Sequence, residues 1–186
     1  MVPNSDPRKK YEKQIFWVGR DEDSQNLSNW FSYVCRTPLL PGHIIIEYKR
    51  SYDENVPQGL EYALNLNIDF ILEWSCKNKG KNCYPVFFRM NIAEECFRVH
   101  VIPVSSQEKL EAARSLRARH PKNTKPGGFL FYLGKKEDMA ERCIARYNEV
   151  ENDKKRESKL MEECGITEVV KQLRNIVNRY GYRSSL

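Results

Sequence analysis

Histidine is the scarcest of the chemically versatile residues here: His43, His100 and His120 are all that 186 residues provide. Three imidazoles are too few to make a histidine-built metal centre the expectation. The six cysteines do not supply one either, because no CxxC occurs and the nearest pair, Cys76 and Cys83, has six residues between its members. Neither a metal nor another cofactor is therefore expected. No apolar run approaches the roughly 20 residues of a membrane-spanning helix, so no membrane partner is expected. The opening Met1–Lys10 lacks the apolar stretch of a signal peptide. The cysteines are accordingly expected as free thiols in a reducing compartment, the cytoplasm, with the nucleus as the alternative. A glycine-rich phosphate loop, an HExxH helix and a GxSxG elbow are all missing, which removes the usual local signatures of nucleotide hydrolases, zinc proteases and serine hydrolases. There are no internal repeats.

What remains describes a folded α+β chain. Hydrophobic residues make up 40% and charged residues 30%, and the aromatics (three Trp, ten Tyr, eight Phe) argue against general disorder. The net charge of +6 favours anionic partners without identifying one. The length suits one domain, alone or with an appendage.

The most informative stretch is Glu95–Val104. Apolar residues alternate there with others, which predicts a strand from Cys96. In an extended chain Phe97, Val99 and Val101 share one face, and Cys96, Arg98 and His100 the other. An arginine and a histidine about 7 Å apart on one face suit a phosphate. The competing reading is a half-buried strand in which Arg98 pairs with Glu94 or Glu95 and His100 is a satisfied core histidine.

Along the chain, 1–14 reads as a flexible leader. Ile15–Val18 is a short edge strand. Trp30–Cys35 is a strand that Pro38 and Pro41-Gly42 stop in a turn, and His43–Lys49, with Ile44, Ile45 and Ile46, is another. Leu60, Ala63, Leu64, Ile68, Ile71 and Leu72 recur at helical spacing, predicting an amphipathic helix over Gly59–Cys76. Strands are expected at Pro85–Met90 and Phe129–Leu133, with a helical pattern at Gln107–Arg119. From Lys135 the composition changes. Lys136–Glu163 is charged with a thin apolar stripe, and Thr167–Tyr180 carries Val169, Val170, Leu173, Ile176 and Val177 on one side. Such a stripe needs a partner surface, either the sheet or a second chain.

Two segments together resemble a known family. Pro41-Gly42-His43 followed by three isoleucines and Lys49, and His100-Val-Ile-Pro some fifty residues later, are similar to the two motifs of the histidine-triad (HIT) superfamily of nucleotide-binding proteins. Ile15-Phe16-Trp17, Pro85-Val-Phe-Phe-Arg and Val101-Ile-Pro-Val104 resemble most the CwfJ C-terminal type, associated with RNA processing. The resemblance covers residues 15–133 and implies a HIT-like domain over 15–134, an antiparallel sheet with helices packed on it, followed by a C-terminal helical extension over 135–186. It also implies that His43 and His100 lie at one site.

The triad itself is degenerate. With His100 aligned to the family's third histidine, Arg98 stands at the nucleophile and Cys96 at the first histidine. A guanidinium has no lone pair for attack on phosphorus. The resemblance thus implies that a nucleotide or RNA phosphate is bound through His43, Lys49, Arg98 and His100, without ordinary HIT hydrolysis. Two alternatives stay open. One is a nucleotide hydrolase or transferase with a displaced nucleophile, Cys96 or His120, in which case Cys96 and His100 are the catalytic candidates. The other is a scaffold that binds a protein partner, or a second copy of the chain, through the C-terminal helices. Independently of the family, Arg114, Arg117, Arg119, Lys122 and Lys125 run without an acidic residue among them, and form a candidate patch for a nucleic-acid backbone.

Overall fold

A computed structural model describes residues 7–20, 27–38, 40–49, 58–79, 84–89, 97–104 and 153–185. The described residues form an antiparallel sheet of five strands: β1 (Ile15–Val18), β2 (Trp30–Val34), β3 (Ile44–Tyr48), β4 (Tyr84–Arg89) and β5 (Phe97–Val104). Their order across the sheet is β1-β2-β3-β5-β4. Among the described residues three α-helices accompany it, α1 (Leu60–Lys79), α2 (Lys154–Glu163) and α3 (Ile166–Arg179). The class is α+β, as the sequence predicts. None of these helices is long and apolar enough to cross a membrane.

The alternation of side chains along each strand sorts the sheet into two faces. One carries Trp30 and Val34 of β2, Ile44 and Ile46 of β3, and Phe97, Val99 and Val101 of β5, all in one cluster with α1 and α3. The other carries Phe31, Tyr33 and Cys35 beside Ile15, Val18 and Ile45. Tyr11, which ends the 3-10 helix Pro7–Tyr11, stacks on Tyr33 there with ring centroids 4.0 Å apart. The split within β5 follows the predicted parity.

Helix α1 starts as predicted but continues to Lys79, past the expected end at Cys76, because no breaker precedes Gly80. Its buried stripe is Leu60, Ala63, Leu64, Phe70, Ile71 and Trp74, while Ile68 and Leu72 lie at its margin, only partly buried. The face is centred further toward the aromatic side than the aliphatic pattern alone suggests.

Helix α3 spends its stripe inside the chain. Ile166, Val169, Val170, Leu173, Ile176 and Val177 are all buried in the same cluster as α1 and the strands. Trp74 of α1 donates its indole N–H to Gln172 Oε1 at 2.8 Å. Arg174 reaches back to the carbonyls of Ile15 and Glu12, at 2.8 and 3.2 Å. Past the helix, Val18 N–H donates to the Arg183 carbonyl at 3.0 Å, forming an isolated bridge on β1. The β1 edge is therefore partly closed by the segment that follows α3. Of the two partners expected for this stripe, the sheet domain is the one observed, so α3 has no apolar stripe left for a second chain.

The expected helix at 107–119, the strand at 129–133 and most of the charged segment 136–163 lie outside the described residues. Of that segment, α2 is described. Its first turn is capped by Asp153, whose side chain accepts from the backbone N–H groups of Lys155 and Arg156.

Candidate functional site

Tyr33, His43, Glu47, Arg98 and His100 gather on the face of the sheet away from α1. Construction of that face begins at the turn between β2 and β3. Gly42 has φ +86°, in the region that favours glycine, and a Cβ there would run into the Trp74 ring. Glycine is thus required both by the backbone and by the close approach of α1. Cys35 N–H donates to the His43 carbonyl at 2.9 Å, and His43 N–H to the Leu40 carbonyl at 3.1 Å. These bonds fix Cys35 and His43 across the mouth of the hairpin.

His100 comes from the neighbouring strand. In the β3–β5 register Ile45 lies opposite His100 and Glu47 opposite Arg98. His43, two residues before Ile45, is therefore diagonal to His100, within reach of an imidazole. The two rings meet: His43 Nε2 and His100 Nδ1 are 2.9 Å apart, with ring centroids at 5.1 Å and planes inclined by 54°. Both residues are buried, His43 completely and His100 to within 4%. Burial pushes the His43 pKa down to about 3. Burial, together with His43 and the Arg98 charge, puts that of His100 well below its usual value. Both imidazoles are neutral at physiological pH, and the bond between them uses one ring N–H.

Arg98 has a partner that sequence reasoning did not name. Its Nε donates to Glu47 Oε2 at 2.7 Å and its Nη2 to Glu47 Oε1 at 3.4 Å, while Tyr33 Oη donates to Glu47 Oε2 at 2.8 Å. Tyr11 Oη lies 3.5 Å from Arg98 Nη2. The Glu47 side chain is fully buried, and that of Arg98 is 18% exposed. Burial works against the guanidinium, but Tyr33, Glu47 and Tyr11 around it hold its pKa raised, so it stays a cation. The expected alternatives were a phosphate or Glu94 or Glu95. The strand register instead gives the guanidinium a carboxylate directly opposite.

The other predicted residues divide clearly. Lys49 shares the face of His43 by parity, but stands just past the far end of β3, about 20 Å along the strand from His43. It is not brought to the imidazoles, because a strand spreads a sequence motif rather than gathering it. Cys96, His120 and the patch Arg114, Arg117, Arg119, Lys122 and Lys125 lie outside the described residues. So the site brings together His43, His100 and Arg98, and adds Cys35, Glu47 and Tyr33.

No family profile matches this chain, and neither a curated protein nor a solved structure is similar to it. What the site can do rests on its own geometry. Cys35 is the residue the sequence reading missed with most consequence. Its Sγ and one nitrogen from each of His43 and His100 lie within 4.8 Å of one another. Burial raises its thiol pKa to about 11, so it is not a nucleophile at neutral pH. The signal was present in the parity of two strands facing across a Pro-Gly turn. It was hidden because Cys35 and His43 are eight residues apart and form no recognised ligand spacing.

Proposed function

We propose that this chain is a HIT-like module that binds the terminal phosphate of a nucleotide or an RNA without turning it over. The observation that supports the reading is the meeting of His43 and His100 from adjacent strands, as the resemblance implies. Neutral imidazoles offer N–H donors to phosphate oxygens. The residue at the family's nucleophile position, Arg98, has no lone pair and is held by Glu47. Cys35, the thiol beside the imidazoles among the described residues, is protonated at neutral pH. The arrangement therefore suits holding a phosphate, and neither Arg98 nor Cys35 is fit to attack one. With Arg98 already balanced by Glu47, binding at the imidazole pair depends on hydrogen bonds more than on net charge, and should vary little with salt. The basic run Arg114–Lys125 would add a steeply salt-dependent contribution for longer strands. A reducing compartment, cytoplasmic or nuclear, suits a chain with this cysteine usage.

Calorimetric titration tests the reading, using nucleoside monophosphates, dinucleoside polyphosphates and short 5′-phosphorylated RNAs. Binding of at least one of them, weakened about tenfold or more by His100→Ala and without product formation, is the expected result. Absence of binding across the panel at low salt rejects it. Hydrolysis that disappears in Cys96→Ala or His120→Ala would replace it with an enzyme using a displaced nucleophile.

A further inference from the structure

We propose that Cys35, His43 and His100 form a binding site for a thiophilic metal ion, Zn2+ in the first place, with one thiolate and two imidazole ligands. The three donor atoms already lie within 4.8 Å of one another, and all three residues are buried. Around a tetrahedral zinc, with bonds of 2.0–2.1 Å to nitrogen and 2.3 Å to sulfur, ligand atoms stand about 3.3–3.6 Å apart. The two facing nitrogens, at 2.9 Å, would open by a few tenths of an ångström, and the sulfur would close by about 1 Å at most. Side-chain torsions accommodate such shifts.

The donors are also well held. Cys35 and His43 are tied by a backbone hydrogen bond across the hairpin mouth. His100 sits in the middle of β5, between β3 and β4. Gly42 lets the turn pack against Trp74. A site assembled from three adjacent segments of one sheet needs little ordering when the ion arrives.

The donor set selects the ion class. One soft sulfur and two borderline imidazoles suit Zn2+ and disfavour Mg2+ and Ca2+, which take oxygen ligands. Three protein ligands also leave a fourth position for water or an anion, the pattern of an open rather than a closed zinc site. Binding is balanced in protons. The thiol gives up one proton to solvent as its sulfur becomes a thiolate ligand. The proton between the facing imidazole nitrogens moves to the other nitrogen of its ring, leaving both histidines neutral. The complex carries a net charge of +1, beside an Arg98 that Glu47 already neutralises.

This inference concerns the same face as the phosphate reading but does not rest on it. Metal binding is measured on the full chain without nucleotide, after stripping with a chelator and with the thiols kept reduced. Titration with Co2+ should give one ion per chain and a thiolate-to-cobalt charge-transfer band, and Zn2+ should abolish that band by displacement. Cys35→Ser should remove the band and weaken Zn2+ at least about tenfold. X-ray absorption on the zinc-loaded wild-type protein gives a readout independent of any variant's folding, and should show one sulfur and two imidazole nitrogens around the ion. A first shell without sulfur overturns the proposal. So does a charge-transfer band that persists in a folded Cys35→Ser chain, since the thiolate would then be another cysteine. A protein that takes up no Co2+ or Zn2+ under these conditions overturns it as well.

Discussion

Both faces of the sheet carry buried side chains in β1, β2, β3 and β5, yet they are held by different means. The face toward α1 and α3 is an apolar jigsaw of Trp30, Phe70, Phe97, Val99 and Leu173. The opposite face puts Tyr33, Glu47 and Arg98 in one hydrogen-bonded group and His43 with His100 in another. Apolar packing is non-directional and tolerates exchange at conserved volume, whereas a buried polar group depends on each named partner. The first face therefore holds the fold together, and the second is where a change of one atom should be felt in chemistry.

Truncation on the apolar face should have the largest effect. Phe70→Ala should cost about 3–5 kcal/mol in urea denaturation, as a fully buried aromatic leaves a cavity. That cost should be the same at pH 7 and pH 5, since no titrating group is involved.

On the polar face, Glu47→Gln should cost about 3 kcal/mol, because it leaves the Arg98 cation largely buried without its carboxylate. The double variant Glu47→Leu with Arg98→Met should recover most of that loss. A double variant as unstable as the single one would show that the ion pair itself holds the face together.

Acid separates the faces without mutation. His43 and His100 are neutral when folded, and each takes up a proton near pH 6.5 once unfolded. Their contribution is intact above about pH 6.5 and is lost as the pH falls toward the folded-state value, about 3 for His43. Within that window each imidazole should lower stability by about 1.4 kcal/mol per pH unit. Metal-free His43→Phe protein should show a shallower pH dependence in the same denaturation series. An equal slope would mean that His43 is not neutral in the folded state.

The smallest effect is expected away from both faces. Lys159→Ala removes an exposed i,i+4 partner of Glu163 at 3.7 Å on α2, and should change stability by no more than about 0.5 kcal/mol.

Much of the apolar face was legible in the sequence, because period-two and helical spacings are local signals. Phe97, Val99 and Val101 could be assigned to the core from parity alone, and so could the stripe of α3. Trp74 was not part of the predicted stripe, since its burial comes from packing on Gly42 and bonding to Gln172. On the polar face, the shared side of Arg98 and His100 was legible for the same local reason. Glu47 and Cys35 were not, because each meets its partner through a strand register that no single segment specifies.

The sequence by itself determined which stretches extend and which coil, and which side of each is greasy. The hydrophobic effect acts on that pattern wherever the strands end up. Only the tertiary structure decided who faces whom: Glu47 against Arg98, His43 against His100, and α3 against its own sheet rather than another chain. The reason is that strand order and register are set jointly by residues far apart along the chain. A shift of one residue in the β3–β5 pairing would turn Arg98 and His100 to the face opposite Glu47 and His43.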